Sequence, residues 1–357
     1  MLIGNVDLTK RLLLAPMADI SDESFRAIAR KYGVGLTFTQ MVSAKGVLEN
    51  EFETLRYLAF HKNEKPIGVQ ILGNDPEIIK SSVKEIIKYK PDVIDLNCGC
   101  PVEKVVKYSM GACLMNSRPL LGKIISEMKK AAGDVMISAK FRLGDDEKNI
   151  SVIDNAKVAE DNGASFVTVH TRYRKDKYDQ AAKWELLSKI KQSVKIPVVG
   201  NGSIFSADDA IRMKEQTGVD SVMVARGALG NPFIFSRFNS IIENNIDPGL
   251  PTILTVKETV LEHIKLLKIE YGELRALNFI KKNIIWYYKN YIGINELIDS
   301  LMKLNSIESI LDLVDDHTEK ILDQKYPEEN LQAVQQKFRM KVLFWLVKEP
   351  VYTESFG

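Results

Sequence analysis

The sequence predicts an α/β protein, a (β/α)8 (TIM) barrel followed by a smaller all-helical C-terminal domain. Three observations support this fold class. Short apolar runs of four to seven residues recur through the first part of the chain, and amphipathic stretches separate them. After about residue 239 the strand-like runs stop and helical patterns continue. The chain has 357 residues, and a barrel of this kind takes roughly 250 of them.

The apolar runs are continuous and rich in branched residues, which is typical of parallel strands buried on both faces. We predict strands at Leu12–Ala15, Leu36–Thr39, Pro66–Leu72, Val93–Leu96, Val135–Phe141, Phe166–His170, Ile196–Gly200 and Ser221–Ala225. We predict helices between them at Glu23–Tyr32, Pro76–Lys88, Leu120–Ala132, Ile153–Asn162, Trp184–Ser193 and Ala207–Gln216. This order of units favours a barrel, and an open doubly wound sheet is the structural alternative.

The second domain follows a linker at Asp247–Pro251, where proline and glycine together disfavour helix. Its predicted helices are Thr255–Tyr271, Glu273–Tyr291, Glu296–Lys303 and Ser306–Val314. We therefore expect a barrel domain at residues 1–238, a helical domain at 250–319 and a C-terminal extension at 320–357. The extension contains a predicted helix at Pro327–Val347, and its role does not follow from the sequence.

Composition excludes some classes of protein. With 45% hydrophobic and 27% charged residues the chain is typical of a globular protein, and no apolar run approaches the ~20 residues of a membrane span. Three cysteines and an N-terminus without a secretory layout predict a cytoplasmic protein, which we expect to be a monomer. Residues 236–357 hold 15 Lys+Arg and 18 Asp+Glu, a balance of −3, so the net charge of +2 leaves +5 elsewhere. Any nucleic-acid site must therefore be local.

The ends of the predicted strands carry polar and glycine residues. In a barrel, residues just past the C-terminal ends of the strands line the active site. Here they are Pro16, Met17, Gln70, Asn97, Cys100, Lys140, Arg142, His170, Arg172, Asn201, Gly202, Arg226 and Gly227. Their amide, ammonium, guanidinium and imidazole groups predict one polar mouth, although a histidine at a strand end is often only structural.

Glycine-rich turns follow the seventh and eighth strands, at Gly200–Gly202 and Arg226–Gly227. Such turns expose backbone N–H groups that suit a phosphate, and Arg226 adds a charged donor. Taken alone, these glycines are equally consistent with tight turns. Together with Lys140 and Gln70 they favour a phosphorylated planar cofactor such as FMN, whose reduced ring develops negative charge that a lysine stabilises.

All three cysteines, Cys98, Cys100 and Cys113, lie within 16 residues. One Cys-x-Cys pair lacks the four ligands of a structural zinc site, so we expect no metal, and a reducing compartment disfavours a disulfide. Buried thiols or a reactive thiol remain. We expect Val102–Met110 to be an exposed, mobile, lysine-bearing loop that lowers the pKa of a nearby thiol.

In this order the motifs resemble the tRNA-dihydrouridine synthases. The resemblance runs from about residue 4 to about residue 315. It rests on Ala15-Pro-Met17, Phe25-Arg26, Asn97-Cys-Gly-Cys-Pro101, Lys104-Val105, Gly111-Ala112, Lys140-Phe-Arg142, His170-Thr-Arg172, Tyr178, Gly200-Asn-Gly202 and Arg226-Gly227.

The resemblance implies a flavin-binding barrel followed by a tRNA-binding helical domain. NADPH, or NADH, would reduce FMN, hydride would pass to C6 of a uridine in tRNA, and Cys100 would protonate C5. Asn97 and Arg172 would lie at the substrate. The residues implied to contact FMN are Pro16, Met17, Gln70, Lys140, His170, Asn201, Gly202, Arg226 and Gly227. We expect Cys98 and Cys113 to be small buried residues.

The chain departs from the family pattern at several positions. Gln40 stands where the family usually has Glu, and Asp19 stands where Gly is common. Ala225 replaces a Gly before Arg226, and Lys281–Asn283 stand where Arg-Lys-His is typical. The departures remove no catalytic group, and the sequence does not indicate which uridine is modified.

A basic segment of the second domain predicts an RNA contact. Residues 275–295 contain basic and aromatic residues and no acidic residue. On a helix, Arg275, Lys282 and Lys289 recur every seven residues and would form an exposed basic stripe. We predict that Lys281 and Lys282 bind tRNA, while the aromatic residues are expected to be mainly core.

Two other functions fit parts of the pattern. A small-molecule flavin reductase of the dihydroorotate dehydrogenase type has the barrel and FMN but does not need a helical domain. An RNA-binding protein that retains the flavin without turnover does not need the strand-end residues Asn97, Cys100, Lys140 and His170.

Overall fold

The computed structural model describes residues 1–60, 62–177 and 180–322. The eight barrel strands, labelled β1 to β8 and all parallel, are Leu12–Leu14, Thr37–Phe38, Ile67–Leu72, Val93–Cys98, Met136–Arg142, Phe166–His170, Val198–Asn201 and Ser221–Val224. A further two-residue strand, Val42–Ser43, pairs in parallel with β3. From β2 onward each strand pairs with the next, and β8 pairs with β1. A parallel bridge between Leu13 and Leu36 joins β1 to the start of β2. The chain therefore forms the predicted barrel, and the open doubly wound alternative is wrong.

Helices surround the barrel and connect its strands. Labelled α1 to α10, they are Glu23–Lys31, Ala44–Leu48, Phe52–Tyr57, Pro76–Ile86, Glu103–Lys107, Arg118–Ala132, Val152–Asp161, Glu185–Ser193, Ala207–Thr217 and Phe233–Asn244. The predicted strands and the six predicted barrel helices occur with ends shifted by at most two residues. Four helices were not predicted: α2, α3, α5 and α10. Helices α2, α3 and α5 are five or six residues long, too short to show a helical period in sequence.

The inside of the barrel changes character from one end to the other. Its N-terminal end is filled by apolar side chains, including Phe38, Val93, Phe166, Val199 and Met223. Two short strands, Leu2–Ile3 and Val6–Asp7, pair below this layer, and Ile3 packs into it. Because side chains two residues apart on a strand share a face, the inward positions nearer the C-terminal ends form the next layers. Those positions are polar and build the site.

The C-terminal domain is helical and has its own core. Its helices, α11 to α13, are Ile253–Tyr288, Ile294–Leu301 and Ile307–Ile321. Helix α11 is interrupted at Gly272, with φ 71° and ψ 165°, at the position where the sequence predicted two separate helices. Among the described residues, no helix combines the length and apolar character that crossing a membrane requires. The extension beyond Leu322, with its expected helix, lies outside the described residues.

The two domains meet at the start of α1. Three backbone N–H groups there find carboxylate acceptors: those of Glu23 and Ser24 donate to Glu270, and that of Phe25 donates to Asp22. The Tyr271 hydroxyl, also from α11, donates to Asp22 over 3.0 Å. The helix N-terminus attracts both carboxylates, so it fixes the helical domain beside the first loop of the barrel mouth.

Candidate active site

A chain of hydrogen bonds crosses β3, β4 and β5 inside the barrel. Ser138 Oγ and Gln70 Nε2 both donate to the carboxylate of Asp95, over 2.6 and 2.7 Å. Asn97 Nδ2 donates to Gln70 Oε1 over 2.8 Å. Burial raises the pKa of Asp95 to about 6. These hydrogen bonds therefore hold the side chains of Gln70 and Asn97 in one orientation.

Asn97 positions the segment that carries the predicted catalytic thiol. Its Oδ1 accepts hydrogen bonds from the backbone N–H groups of Gly99 and Cys100, over 3.1 and 2.9 Å. Arg142 Nε donates to the carbonyl of Gly99 over 2.9 Å, and the N–H of Ala112 donates to the carbonyl of Cys100 over 3.0 Å. The turn from Cys98 to Pro101 is thus held on both sides.

The thiol of Cys100 is protonated at neutral pH. Burial raises its pKa, and this effect outweighs the nearby charges of Arg142 and Lys140. The expectation of a basic loop that lowers the thiol pKa is wrong, because the following segment forms helix α5 with Lys104 and Lys107 exposed to water. A protonated thiol is suited to act as a general acid.

The other two cysteines differ from Cys100 and from each other. Cys98 is fully buried at the end of β4, in the layer between the strands and the outer helices, and burial raises its thiol pKa well above the ordinary value. Cys113 is only partly buried, and its Sγ lies 3.6 Å from the carbonyl oxygen of Val106. The expectation of burial is confirmed for Cys98 and wrong for Cys113.

Lys140 places a cation within the polar layer. Its Nζ donates to Asn201 Oδ1 over 3.2 Å, and Asn201 in turn donates to the carbonyl of Met223 over 2.8 Å. Burial lowers the pKa of Lys140 to about 8. The charge of Asp95 opposes this lowering, but its carboxylate already accepts two hydrogen bonds from other residues. An ammonium with three donors in this setting suits an anionic or polar ligand.

His170 and Arg172 form a second polar group at the end of β6. Arg172 Nη1 lies 3.2 Å from His170 Nε2, and a guanidinium can only donate, so this ring nitrogen accepts. Burial and nearby cations lower the pKa of His170 well below its ordinary value, and the ring is neutral with its hydrogen on Nδ1. Arg172 is itself buried and donates to the carbonyl of Gln180 and to Ser203 Oγ.

The loops after β7 and β8 pack tightly against each other. A Cβ atom on Gly227 would lie 2.1 Å from the carbonyl oxygen of Ile204, so only glycine allows this approach. The guanidinium of Arg226 lies over the ring of Phe205, with its Cζ 5.3 Å from the ring centre. Trp184 Nε1 donates to the carbonyl of Gly202 over 2.9 Å. The predicted phosphate residues are therefore brought together on one side of the mouth.

The loop after β1 lies beside the loop after β8, because these two strands are paired. It carries Pro16 and Met17, both partly exposed. The N–H of Met17 donates to Ser21 Oγ over 2.9 Å. The N–H of Asp19 donates to Gln40 Oε1 over 2.6 Å, so two positions that depart from the family pattern contact each other.

The expected exposed basic stripe on α11 does not form. Arg275 is exposed, but Lys282 donates to the carbonyl of Asp19 over 2.8 Å and lies over aromatic rings. Lys289 donates to the carbonyl of Leu229. The heptad spacing was correct, but all three cations contact the barrel, because the exposed Arg275 is also ion-paired with Glu53 of α3, with its Nη2 3.8 Å from Glu53 Oε1. Lys281 is half-buried.

The family model described as Dihydrouridine synthase matches residues 13–326, which is most of the chain. The chain belongs to the dihydrouridine synthase family. A "Probable tRNA-dihydrouridine synthase" of Mycobacterium tuberculosis is 33% identical over 324 residues, covering 88% of this chain and 83% of that protein. The "tRNA-dihydrouridine synthase B" of Pseudomonas aeruginosa is 32% identical over 307 residues, covering 86% of this chain and 92% of that protein.

More distant solved structures share the fold of this dihydrouridine synthase family member. Histamine dehydrogenase from Rhizobium sp. 4-9 superposes with a TM-score of 0.53 at 14% identity, covering 88% of this chain and 62% of that one. The amine oxidase HisD from Pseudomonas geniculata N1 gives 0.51 at 13% identity, covering 71% and 50%. At these identities the likeness shows the fold alone.

In this dihydrouridine synthase family member, the structure adds Asp95 and Ser138 to the site, which anchor the hydrogen-bond chain and were not predicted. Arg142, which the sequence placed at a strand end, holds both Gly99 and Tyr173 through their carbonyls. The signal that could have identified Asp95 is its position two residues before Asn97 on β4, because residues two apart on a strand lie on the same face. Among the described residues, no group of His, Cys, Asp and Glu is arranged to hold a metal.

Proposed function

We propose that the chain reduces the C5–C6 double bond of specific uridines in tRNA to 5,6-dihydrouridine, with FMN as cofactor and NADPH, or NADH, as reductant. One observation carries the proposal: a half-buried, protonated thiol at Cys100, held through its backbone by Asn97, lies at the same barrel mouth as the half-buried cation Lys140. Saturating a conjugated double bond requires a proton on one carbon and a hydride on the other. Cys100 would supply the proton, and a flavin beside Lys140 would supply the hydride.

The residues present fit FMN. The ring would lie against Lys140 and His170, and the phosphate beside the packed turns that carry Gly202, Arg226 and Gly227. The other proposed contacts are Pro16, Met17, Gln70 and Asn201. When bound, FMN supplies a hydride to C6 of the base after accepting one from the nicotinamide. A neutral His170 donating from Nδ1 and a cationic Lys140 both favour negative charge on a ring.

Cys100 supplies the proton. Its S–H bond breaks as a C–H bond forms at C5, and the resulting thiolate recovers a proton from solvent. Asn97 fixes the backbone N–H of Cys100, so it sets where the thiol lies as well as bordering the substrate. The hydrogen-bond chain through Gln70 and Asp95 keeps Asn97 in place.

The RNA must present its base to this mouth. A uridine inside the barrel has left its stack, so we expect base flipping. Arg172 stays on the proposed substrate side, where its contact with His170 fixes the imidazole. The sequence assigns Lys281 and Lys282 to tRNA. Since Lys282 faces the barrel, we propose phosphate contacts for Lys281 and the exposed Arg275.

One experiment tests the proposal against both alternatives. Purified protein is supplied with NADPH and tRNA that lacks modification, and NADPH oxidation and dihydrouridine are both measured. We expect a yellow protein whose NADPH oxidation rises on addition of this tRNA, together with dihydrouridine in the RNA. Oxidation that depends on a small molecule instead of tRNA would indicate a small-molecule reductase. Bound tRNA without oxidation would indicate an RNA-binding protein.

A further inference from the structure

The second section of helix α11, which follows Gly272, lies against two loops of the barrel mouth. One loop is residues 15–22, after β1, and the other is residues 225–232, after β8. Strands β1 and β8 pair in register, with Leu14 opposite Val224, so the loops are neighbours. A single helix can therefore contact both of them.

Lys282 contacts the first loop. Its Nζ donates to the carbonyl of Asp19 over 2.8 Å, and the ammonium lies 4.9 and 5.2 Å from the ring centres of Phe279 and Trp286. These two rings hold the cation in place through cation–π attraction. Asp19 has φ 57°, a left-handed conformation that costs energy in a residue other than glycine, and its N–H is bound by Gln40.

Lys289 contacts the second loop. Its ammonium donates to the carbonyl of Leu229. Burial lowers the pKa of Lys289 to about 8. The loop also approaches the helix backbone closely, because a Cβ atom on Gly230 would lie 2.1 Å from the carbonyl carbon of Trp286. Among the described residues this half-buried ammonium has a backbone carbonyl as its hydrogen-bond partner and no carboxylate, so its contact fixes the loop.

We propose that Lys282 and Lys289 are positioning residues that hold the two cofactor loops in their binding conformation. The inference rests on the proposed function, which places Pro16 and Met17 on one loop and Arg226 and Gly227 on the other. The lysines are seven residues apart, which is about 10 Å along a helix. Each ammonium holds one carbonyl, and the helical domain thereby fixes the FMN contacts without touching FMN.

The consequence is a change in cofactor retention. Without the lysine hydrogen bond, a loop spends part of its time in conformations that do not bind FMN. The apparent affinity for FMN is then reduced in proportion to the fraction of molecules in the binding conformation. A hydrogen bond from a charged donor is strong enough for an effect of about tenfold. Loss of one lysine therefore loosens FMN even though the FMN contacts themselves are intact.

The test measures FMN release. Purified holoprotein is diluted and the fluorescence of released flavin is followed, for the wild type and for Lys282→Met and Lys289→Met. Each methionine keeps the length and apolar stem of lysine and removes the donor. We expect release about tenfold faster in both variants, and Lys282→Arg, which retains a donor, should restore the wild-type rate.

Two matched controls lie in the same helix. Lys281→Met changes the neighbouring lysine, and Lys257→Met removes an ion pair with Asp315 inside the helical domain. Both should release FMN at the wild-type rate. Thermal melting of the apoproteins accompanies each measurement, and if Lys289→Met does not fold, Lys282→Met decides.

The outcomes separate this inference from the proposed function. A wild-type protein that neither contains nor takes up FMN overturns both. A wild type that holds FMN, with lysine variants that release it at the same rate, overturns this inference alone. A lowered melting temperature with unchanged release also overturns it, because the lysines would then only join the domains.

Discussion

Two half-buried lysines, one in the barrel mouth and one between the domains, have the same lowered pKa but different partners. Burial lowers the pKa of both Lys140 and Lys289 to about 8. Lys289 donates to a backbone carbonyl of a loop. Lys140 donates to the amide of Asn201 among side chains that all project into the barrel. The pKa alone does not distinguish a structural lysine from a functional one, and the partners do.

The hydrogen bonds around these two lysines differ in the same way. Between the domains, side chains bind backbone groups: Lys282 binds Asp19, Lys289 binds Leu229, and Glu270 binds the start of α1. In the mouth, side chains bind each other in a chain that ends at the thiol segment. In the mouth the hydrogen bonds therefore join side chains to one another, and between the domains they join side chains to the backbone.

The largest expected effect in the mouth is from Cys100→Ala. Removing the acid should slow dihydrouridine formation by about 10²–10⁴-fold, because general acid catalysis contributes this much. FMN content and its reduction by NADPH should be unchanged. Stopped-flow absorbance measures flavin reduction, and mass spectrometry of the tRNA measures the product.

Cys98→Ala and Cys113→Ala are the matched controls for this experiment. Cys98 is buried outside the mouth and Cys113 lies after α5, so both variants should keep most of the activity. If Cys98→Ala abolished turnover while Cys100→Ala did not, the assignment of the acid would be wrong.

Asp95→Asn tests whether the ionised carboxylate of Asp95 destabilises the folded protein. The pKa of Asp95 is about 6 in the folded chain and ordinarily 3.8, so its contribution to the unfolding free energy is complete below pH 4 and is lost as the pH rises through 6. Relative to Asp95→Asn, the wild type should lose up to about 3 kcal/mol between pH 4 and 7. Urea unfolding of both proteins across this range measures the difference. Parallel pH profiles would contradict the expectation.

Lys140→Met tests whether the mouth lysine acts on the cofactor. It removes a charged donor, so FMN affinity or the rate of FMN reduction should fall roughly 10- to 100-fold. Flavin titration of the apoprotein and stopped-flow reduction measure the two effects. Lys257→Met, in the helical domain, is the control and should change neither. Wild-type affinity together with wild-type reduction in Lys140→Met would remove the lysine from the cofactor site.

The smallest expected effect is on RNA binding. Arg275→Glu with Lys281→Glu should weaken tRNA binding and reduce its salt dependence by about one unit of slope per lost contact. FMN content should not change, because neither residue contacts a cofactor loop in the structure. Binding measured at several salt concentrations gives the slope. Unchanged binding would place the RNA surface on the barrel, which carries the positive balance.

The sequence was sufficient for the barrel because its strands are buried on both faces and their apolar runs are unmistakable. It also placed Cys100, Lys140 and His170 at strand ends. It could not show that Asp95 anchors Asn97, since that contact crosses from β4 to β3 through Gln70. Nor could helical spacing show which neighbour a stripe faces, so the sequence predicts an RNA-facing stripe that includes Lys282 and Lys289, whereas the structure has both on barrel loops.

The apolar layer fills the N-terminal end of the barrel, so within the described residues we expect ligands to reach the mouth from the C-terminal ends of the strands. Phe38 and Phe166 fill the interior there, and Ile3 covers them from below. Under the proposed reaction, nicotinamide and uridine must both use the same opening, one after the other. This predicts double-displacement kinetics, with parallel double-reciprocal plots and mutual inhibition at high concentration. The filled N-terminal end of the barrel thus requires the nicotinamide and the uridine to bind one after the other.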